Sequence, residues 1–174
     1  MIESTLMKML SVVCVCALAL VSSPVSAGQA APAQTKAPAA KAKAAAGGAR
    51  TIELTGSETM KYDVTEITAK PGEKLRVVLK ALGSMPKIAM GHNFVLLKAG
   101  VSPMEVSNAA FNARDTDFVP ASMADKIIAH TKVAGGGETV EVTFTAPAKA
   151  GKYDYLCTFP GHFAAGMKGT LTVK

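Results

Sequence analysis

The sequence predicts an all-β domain, an antiparallel sandwich or barrel of seven or eight short strands interrupted by one short helical flap. Three observations lead there. From Thr51 onward, short runs rich in β-branched and aromatic residues recur along the chain. Turn-forming clusters punctuate them, among them Lys70-Pro71-Gly72-Glu73 and Gly135-Gly136-Gly137. One stretch, residues 103–130, breaks the rhythm with helical signals.

The first fifty residues stand outside this pattern. Residues 1–27 carry Lys8, an apolar run from Met9 to Val21 and the small-residue ending Val25-Ser26-Ala27, which reads as a cleavable secretory signal. The run is shorter than the roughly twenty residues a spanning helix needs. An uncleaved anchor is the alternative. Cys14 and Cys16 lie inside the run and not at its end, against the pattern of a lipoprotein. Residues 28–50, GQAAPAQTKAPAAKAKAAAGGAR, hold no bulky apolar residue and read as a flexible spacer. Pro32, Pro38 and Gly47-Gly48 oppose a continuous Ala-rich helix there. The domain proper is then 51–174.

Within it, the expected strands are TIELTG, YDVTEIT, KLRVVLK and HNFVLLK, then ETVEVTFT, KYDYLC and GTLTVK after the flap. The flap starts with a helix at Pro103, capped by Ser102 and carrying Glu105 in its first turn. Val106, Ala109, Ala110 and Ala113 suit one helical face, and Pro120 ends the helical region.

Charge and cysteine use narrow the function. The net charge is +6, but residues 28–50 contribute Lys36, Lys41, Lys43 and Arg50 with no acid. Residues 51–174 hold 14 Lys and Arg against 12 Asp and Glu, a net of +2. No basic stripe interleaved with aromatics exists there, so nucleic acid is not an expected partner. Loss of the signal removes two of the three Cys and leaves Cys157 alone. An exported chain with one thiol has no internal disulfide, and a lone thiol in an oxidising compartment is a liability unless a metal occupies it.

Cys157-Thr-Phe-Pro-Gly-His162-Phe-Ala-Ala-Gly-Met167 offers three metal ligands in eleven residues. Cys157 ends a strand, Pro160-Gly161 turns the chain, and Met167 precedes the last strand, so one loop can wrap an ion. His92, opening an apolar strand after Gly91, is the candidate fourth ligand. Taken singly, each has a plainer explanation: a surface His, a core Met, a small buried thiol. Together they form the His₂Cys set with a weak Met that suits electron-transfer copper. Soft sulfur favours Cu(I) and imidazole also suits Cu(II), so little has to move when an electron arrives. Structural zinc seldom uses Met.

At these residues the chain resembles azurins and the related auracyanins, within the cupredoxins. MPKIAMGHNFVLL, IIAHTKVAGGGETVEVTF and YDYLCTFPGHFAAGMKGTLTVK carry the resemblance, which covers nearly all of 51–174. It implies a Greek-key sandwich or barrel holding one type 1 copper ion. His92, Cys157 and His162 would form the copper plane, with Met167 axial and the Gly91 carbonyl a second, weak axial contact. Asn93 and Thr158 would link the two ligand loops by hydrogen bonds, and the Phe159 N–H would point at the Cys157 sulfur. Tyr153 matches the family's tyrosine corner. Two departures stand out. Four residues separate His162 from Met167 where azurins have three, as in plastocyanins and auracyanins. The azurin disulfide is also missing, and the spacer is similar to that of tethered auracyanins.

The resemblance further implies outer-sphere transfer of single electrons, not enzymatic turnover. In that family the second His lies near the surface inside an apolar patch. Met85, Met90, Pro160, Phe163 and Ala164 would surround His162 here, although each Met could equally be core. Brief docking on such a patch suits redox encounters. The expected partners are c-type cytochromes, photosynthetic complexes, or oxidases and reductases, met by a monomer in the periplasm or at the outer face. Membrane contact would come only from an uncleaved signal or a tethered spacer. Three rivals remain. A copper enzyme needs further His-rich sites, and His130 alone builds none. A copper storage or delivery protein would exchange metal readily, and a zinc domain would be colourless.

Overall fold

The computed structural model describes residues 42–44 and 48–174, so the predicted signal and most of the predicted spacer lie outside the described residues. In chain order the described strands are β1 (Ala42–Ala44), β2 (Arg50–Ser57), β3 (Lys61–Tyr62), β4 (Glu66–Ala69), β5 (Lys74–Ala81), β6 (Val95–Leu97), β7 (Ile127–His130), β8 (Thr139–Thr145), β9 (Gly151–Leu156) and β10 (Lys168–Val173). One helix, α1 (Pro103–Ala110), lies between β6 and β7. One sheet has the order β1-β2-β5-β8, with β3 also on β2; the other runs β4-β10-β9-β6-β7. Of sandwich and barrel, the structure is the sandwich. β1 and Arg50 fall within the range expected as spacer, and β1 pairs with β2 from Ala42↔Ile52 to Ala44↔Arg50.

Three differences from the sequence expectation have physical causes. The sheets are mixed, not antiparallel: β2 pairs with β5, and β4 with β10, in parallel. The chain leaves β2, crosses to the other sheet as β4 and returns as β5 in its original direction. Local alternation carries no record of such a crossover. YDVTEIT, expected as one strand, splits at this crossing, where the Thr55 N–H donates to Asp63 Oδ1 at 2.6 Å. Finally, residues 127–130 form edge strand β7, and Pro120 opens a 3-10 turn (Ala121–Lys126) instead of ending the helical region. Proline's fixed φ suits the start of a helical turn.

The inward faces follow the period of two. Ile52 and Leu54 of β2 sit in register with Val77 and Leu79 of β5, and all four are fully buried. Phe94, just ahead of β6, closes on them with Leu96, Tyr155 and Leu171 of the second sheet. β6 is buried on both faces because the flap covers its outer side: Val95, Leu97 and Leu156 pack with Val106 of α1 and Val119. The helix starts as expected, with the Ser102 hydroxyl accepting from Glu105 N. Tyr153 forms its corner, its hydroxyl donating to Lys149 O at 2.7 Å.

An ion pair clips the first sheet's beginning to the β4–β5 turn. Arg50 Nε donates to Glu73 Oε1, its guanidinium also bonds Thr68 O, and the Lys70 N–H donates to Glu73 Oε2. The Arg50 hydrogen bond, with help from Lys70, holds the Glu73 carboxyl below its usual range. A depressed carboxylate contributes stability above its unfolded value, about 4.3, and loses it as pH falls through the lower folded value. Glu73→Gln should therefore cost about 0.5–1 kcal/mol at pH 7, a modest figure because the pair is partly solvated. Urea titrations should show wild type and variant converging below about pH 4.

Candidate metal centre

The centre is built from three chain segments at one end of the sandwich. His92 lies just ahead of β6 and exchanges both backbone hydrogen bonds with Ala134, at 2.9 and 2.8 Å. Cys157 follows the last residue of β9. The loop from Cys157 to Met167 ties itself: Cys157 N donates to Met167 O at 3.0 Å and Met167 N to His162 O at 2.9 Å. His162 N donates in turn to Phe159 O at 3.1 Å. Gly161 and Gly166 supply the left-handed turns, with φ of 84° and 96°.

One donor atom each from His92, Cys157 and His162 lie within 4.8 Å of one another, and all three residues are buried. Cys157 Sγ is 3.4 Å from His162 Nδ1 and 4.0 Å from the Gly91 carbonyl oxygen. The two imidazoles lie 4.9 Å apart, centroid to centroid. Both ring nitrogens of His92 are buried without a hydrogen-bond partner. Such orphaned donors are rare in folded proteins and call for a ligand. Donors this close all reach one ion at bond lengths of about 2.0–2.3 Å with little movement.

Electrostatics points the same way. Burial pushes the Cys157 thiol up to about 12, although the Asn93 and Phe159 N–H groups pull it down. Burial, reinforced by His92, lowers His162 to about 4, and burial lowers His92 as well. Both imidazoles are therefore neutral near pH 7, the form that binds metal. A cation bound beside Cys157 would offset this burial and deprotonate the thiol.

Asn93 and Thr158 link the segments around these donors. Asn93 Oδ1 accepts from Thr158 N at 2.9 Å and from its hydroxyl at 3.2 Å, and Asn93 Nδ2 donates to Thr158 Oγ1 at 2.8 Å. Met167 is fully buried. A Cβ built on Gly56 would lie 2.9 Å from Met167 Cε and 3.0 Å from His92 Cγ, so the thioether end and the imidazole share the space above this glycine. His162 is only 2% exposed. Phe159 lies 4.8 Å from its ring, and Phe118 of the flap 5.0 Å from Phe159. Among the expected docking residues, Met85 and Ala164 are exposed and Met90, Pro160 and Phe163 half-buried. Phe163 also packs beneath the flap.

Sequence reading missed several contributors. Leu82 and Ile88, 42% and 69% exposed, extend the apolar surface of the loop bearing Met85. Tyr62, which is buried, donates its hydroxyl to Asn93 O. Gly56 carried a readable signal, since glycine inside a strand marks a close approach. Asp117, whose backbone carbonyl accepts from Asn93 and whose carboxylate accepts from Val133 N, carried none, because these contacts are distant in sequence.

Comparison with known proteins agrees with this geometry. The profile of a family described as copper binding proteins, plastocyanin/azurin family, matches residues 49–174. Azurin-1 of Alcaligenes xylosoxydans xylosoxydans is 42% identical over 123 residues, 69% of this chain and 94% of that protein. Two solved structures are similar. Dithionite-reduced auracyanin of Roseiflexus castenholzii shares 40% identity with a TM-score of 0.63, covering 71% of this chain and 96% of its own. Auracyanin A of Chloroflexus aurantiacus, described as a "blue" copper protein, shares 38% with a TM-score of 0.64, covering 71% and 98%.

Proposed function

This chain belongs to the plastocyanin/azurin family of copper-binding proteins, and from that premise we propose that it is a mobile or tethered carrier of single electrons. Copper, when bound, supplies a one-electron Cu(II)/Cu(I) couple. The observation that carries the reading is the buried His92, Cys157 and His162 triad with both His92 ring nitrogens unpartnered. These three side chains would hold the metal, with the buried Met167 thioether and the Gly91 carbonyl as further, weaker ligands.

The protein's own part is to keep that couple dry and its ligands still. His92 is anchored by two backbone bonds, and the loop carrying the other ligands by its own. Fixed ligands lower the reorganisation that accompanies each electron. The exposed apolar side chains of the 82–90 loop, with Pro160, Phe163 and Ala164, form the docking surface for redox proteins. A c-type cytochrome, a photosynthetic complex or an oxidase fits it, each by a small transient interface. Export rests on residues 1–27. No helix of the described residues is long and apolar enough to cross a membrane, so tethering would fall to the N-terminal segment.

Copper-loaded protein should be intensely blue and should bleach on one-electron reduction, then recover on reoxidation. A colourless Cu(II) complex would instead favour storage or delivery. Met167→Leu should keep the colour and shift the reduction potential, measured by redox titration. An unchanged potential would remove Met167 from the proposed ligands.

A further inference from the structure

Beside the packing of Phe118 on Phe159, the flap reaches the metal centre through the hydrogen bonds of Asp117. Asp117 lies in the left-handed region, with φ of 55°, and Phe118 follows at 57°. An aspartate tolerates that conformation, but a bulky aromatic residue rarely adopts it. Two consecutive such residues persist only where surrounding contacts hold them. Asp117 supplies two. Its backbone carbonyl accepts from Asn93 Nδ2 at 2.9 Å, and its carboxylate Oδ1 accepts from Val133 N at 3.0 Å.

Both donors adjoin the ligands. Asn93 follows His92 and bridges to Thr158, the residue after Cys157. Val133 precedes Ala134, whose backbone pairs with His92. The Val133 side chain also packs so closely on Gly91 that a Cβ there would collide with Val133 Cγ1. The Gly91 carbonyl is the group that faces Cys157 Sγ. Pulling on Val133 therefore moves Gly91 and His92, and pulling on Asn93 moves His92 and Thr158.

We propose that Asp117 is a positioning residue for the copper centre, its carboxylate fixing the height of the Gly91–His92 segment through Val133. This inference rests on the copper reading above and adds a role for the flap. The hydrogen bonds of Asp117 go to Val133 and Asn93 and not to a ligand itself.

The test compares Asp117→Ala and Asp117→Asn. Asparagine keeps an Oδ1 acceptor for Val133 N–H, and alanine removes it. In the apo-protein, amide exchange at Val133 should quicken about tenfold or more in D117A, the equivalent of one hydrogen bond to a charged group. It should stay near wild type in D117N. With Cu(II), D117A should show an altered copper hyperfine splitting and a shifted potential, and D117N should restore both. If D117A fails to fold, D117N carries the test: wild-type spectra and Val133 protection support the acceptor role. A D117A indistinguishable from wild type in exchange and spectrum overturns the proposal, as does a D117N as perturbed as D117A. Failure of the copper reading looks different, because wild type itself would then be colourless with Cu(II).

Discussion

Cys157→Ser should abolish the blue absorption of the copper-loaded protein altogether while leaving the apo-protein folded. The colour of a thiolate-bound Cu(II) site belongs to its sulfur, and serine offers a hydroxyl that stays protonated in this dry setting. The structure makes the loss clean. Cys157 is fully buried, and its backbone N–H bonds Met167 O whatever the side chain is. Serine is close in volume, so the sandwich should survive with a cost of about 1–2 kcal/mol for the buried hydroxyl, eased by a bond to His162 Nδ1. Visible spectra of the Cu(II) form and near-ultraviolet circular dichroism of the apo form check both halves. A folded variant that still turns blue would remove Cys157 from the copper plane.

Gly56 contributes no ligand, yet substitutions there should reach the copper centre. Its strand backbone is extended, so conformational freedom is not what the glycine supplies; space is. An alanine Cβ would stand 2.9 Å from Met167 Cε and 3.0 Å from His92 Cγ. The methionine end is flexible and can retreat, whereas the imidazole is tied by both backbone bonds of its residue. Gly56→Ala should therefore keep the fold and the blue colour but shift the potential, as Met167 withdraws. Gly56→Val adds two further carbons that the pocket has no room for. Overpacking of this kind costs typically about 1–3 kcal/mol, and it displaces His92 as well, so copper affinity should fall. Urea denaturation of the apo forms and copper competition titrations separate the two effects. A valine variant with wild-type affinity would show that His92 is not seated against Gly56.

Much of the centre was legible because it is local. Cys157, His162 and Met167 are consecutive landmarks of one loop, and their residue types already specify soft and imidazole donors. The Ser102 cap, the β2 and β5 alternation and the Tyr153 corner are likewise short-range patterns that survive folding. What escaped depends on partners far along the chain. Nothing in TIELTG announces that it runs parallel to KLRVVLK, since direction is decided by a crossover between sheets. IIAH, half-buried at a sheet edge, lacks the strong alternation that would have marked it as a strand. The near-complete burial of His162 arises from loop packing that no spacing records.

The self-tied loop between Cys157 and Met167 has a consequence for how such centres diversify. Its ends are joined to each other, Cys157 N to Met167 O, before either is joined to the sandwich beyond. A residue gained or lost between His162 and Met167 is thus absorbed inside a closed unit, and the strands on either side need not change register. The scaffold behaves as a socket and the loop as an exchangeable cartridge. Grafting a loop of another length between β9 and β10 should retune the metal while the frame beneath keeps its shape.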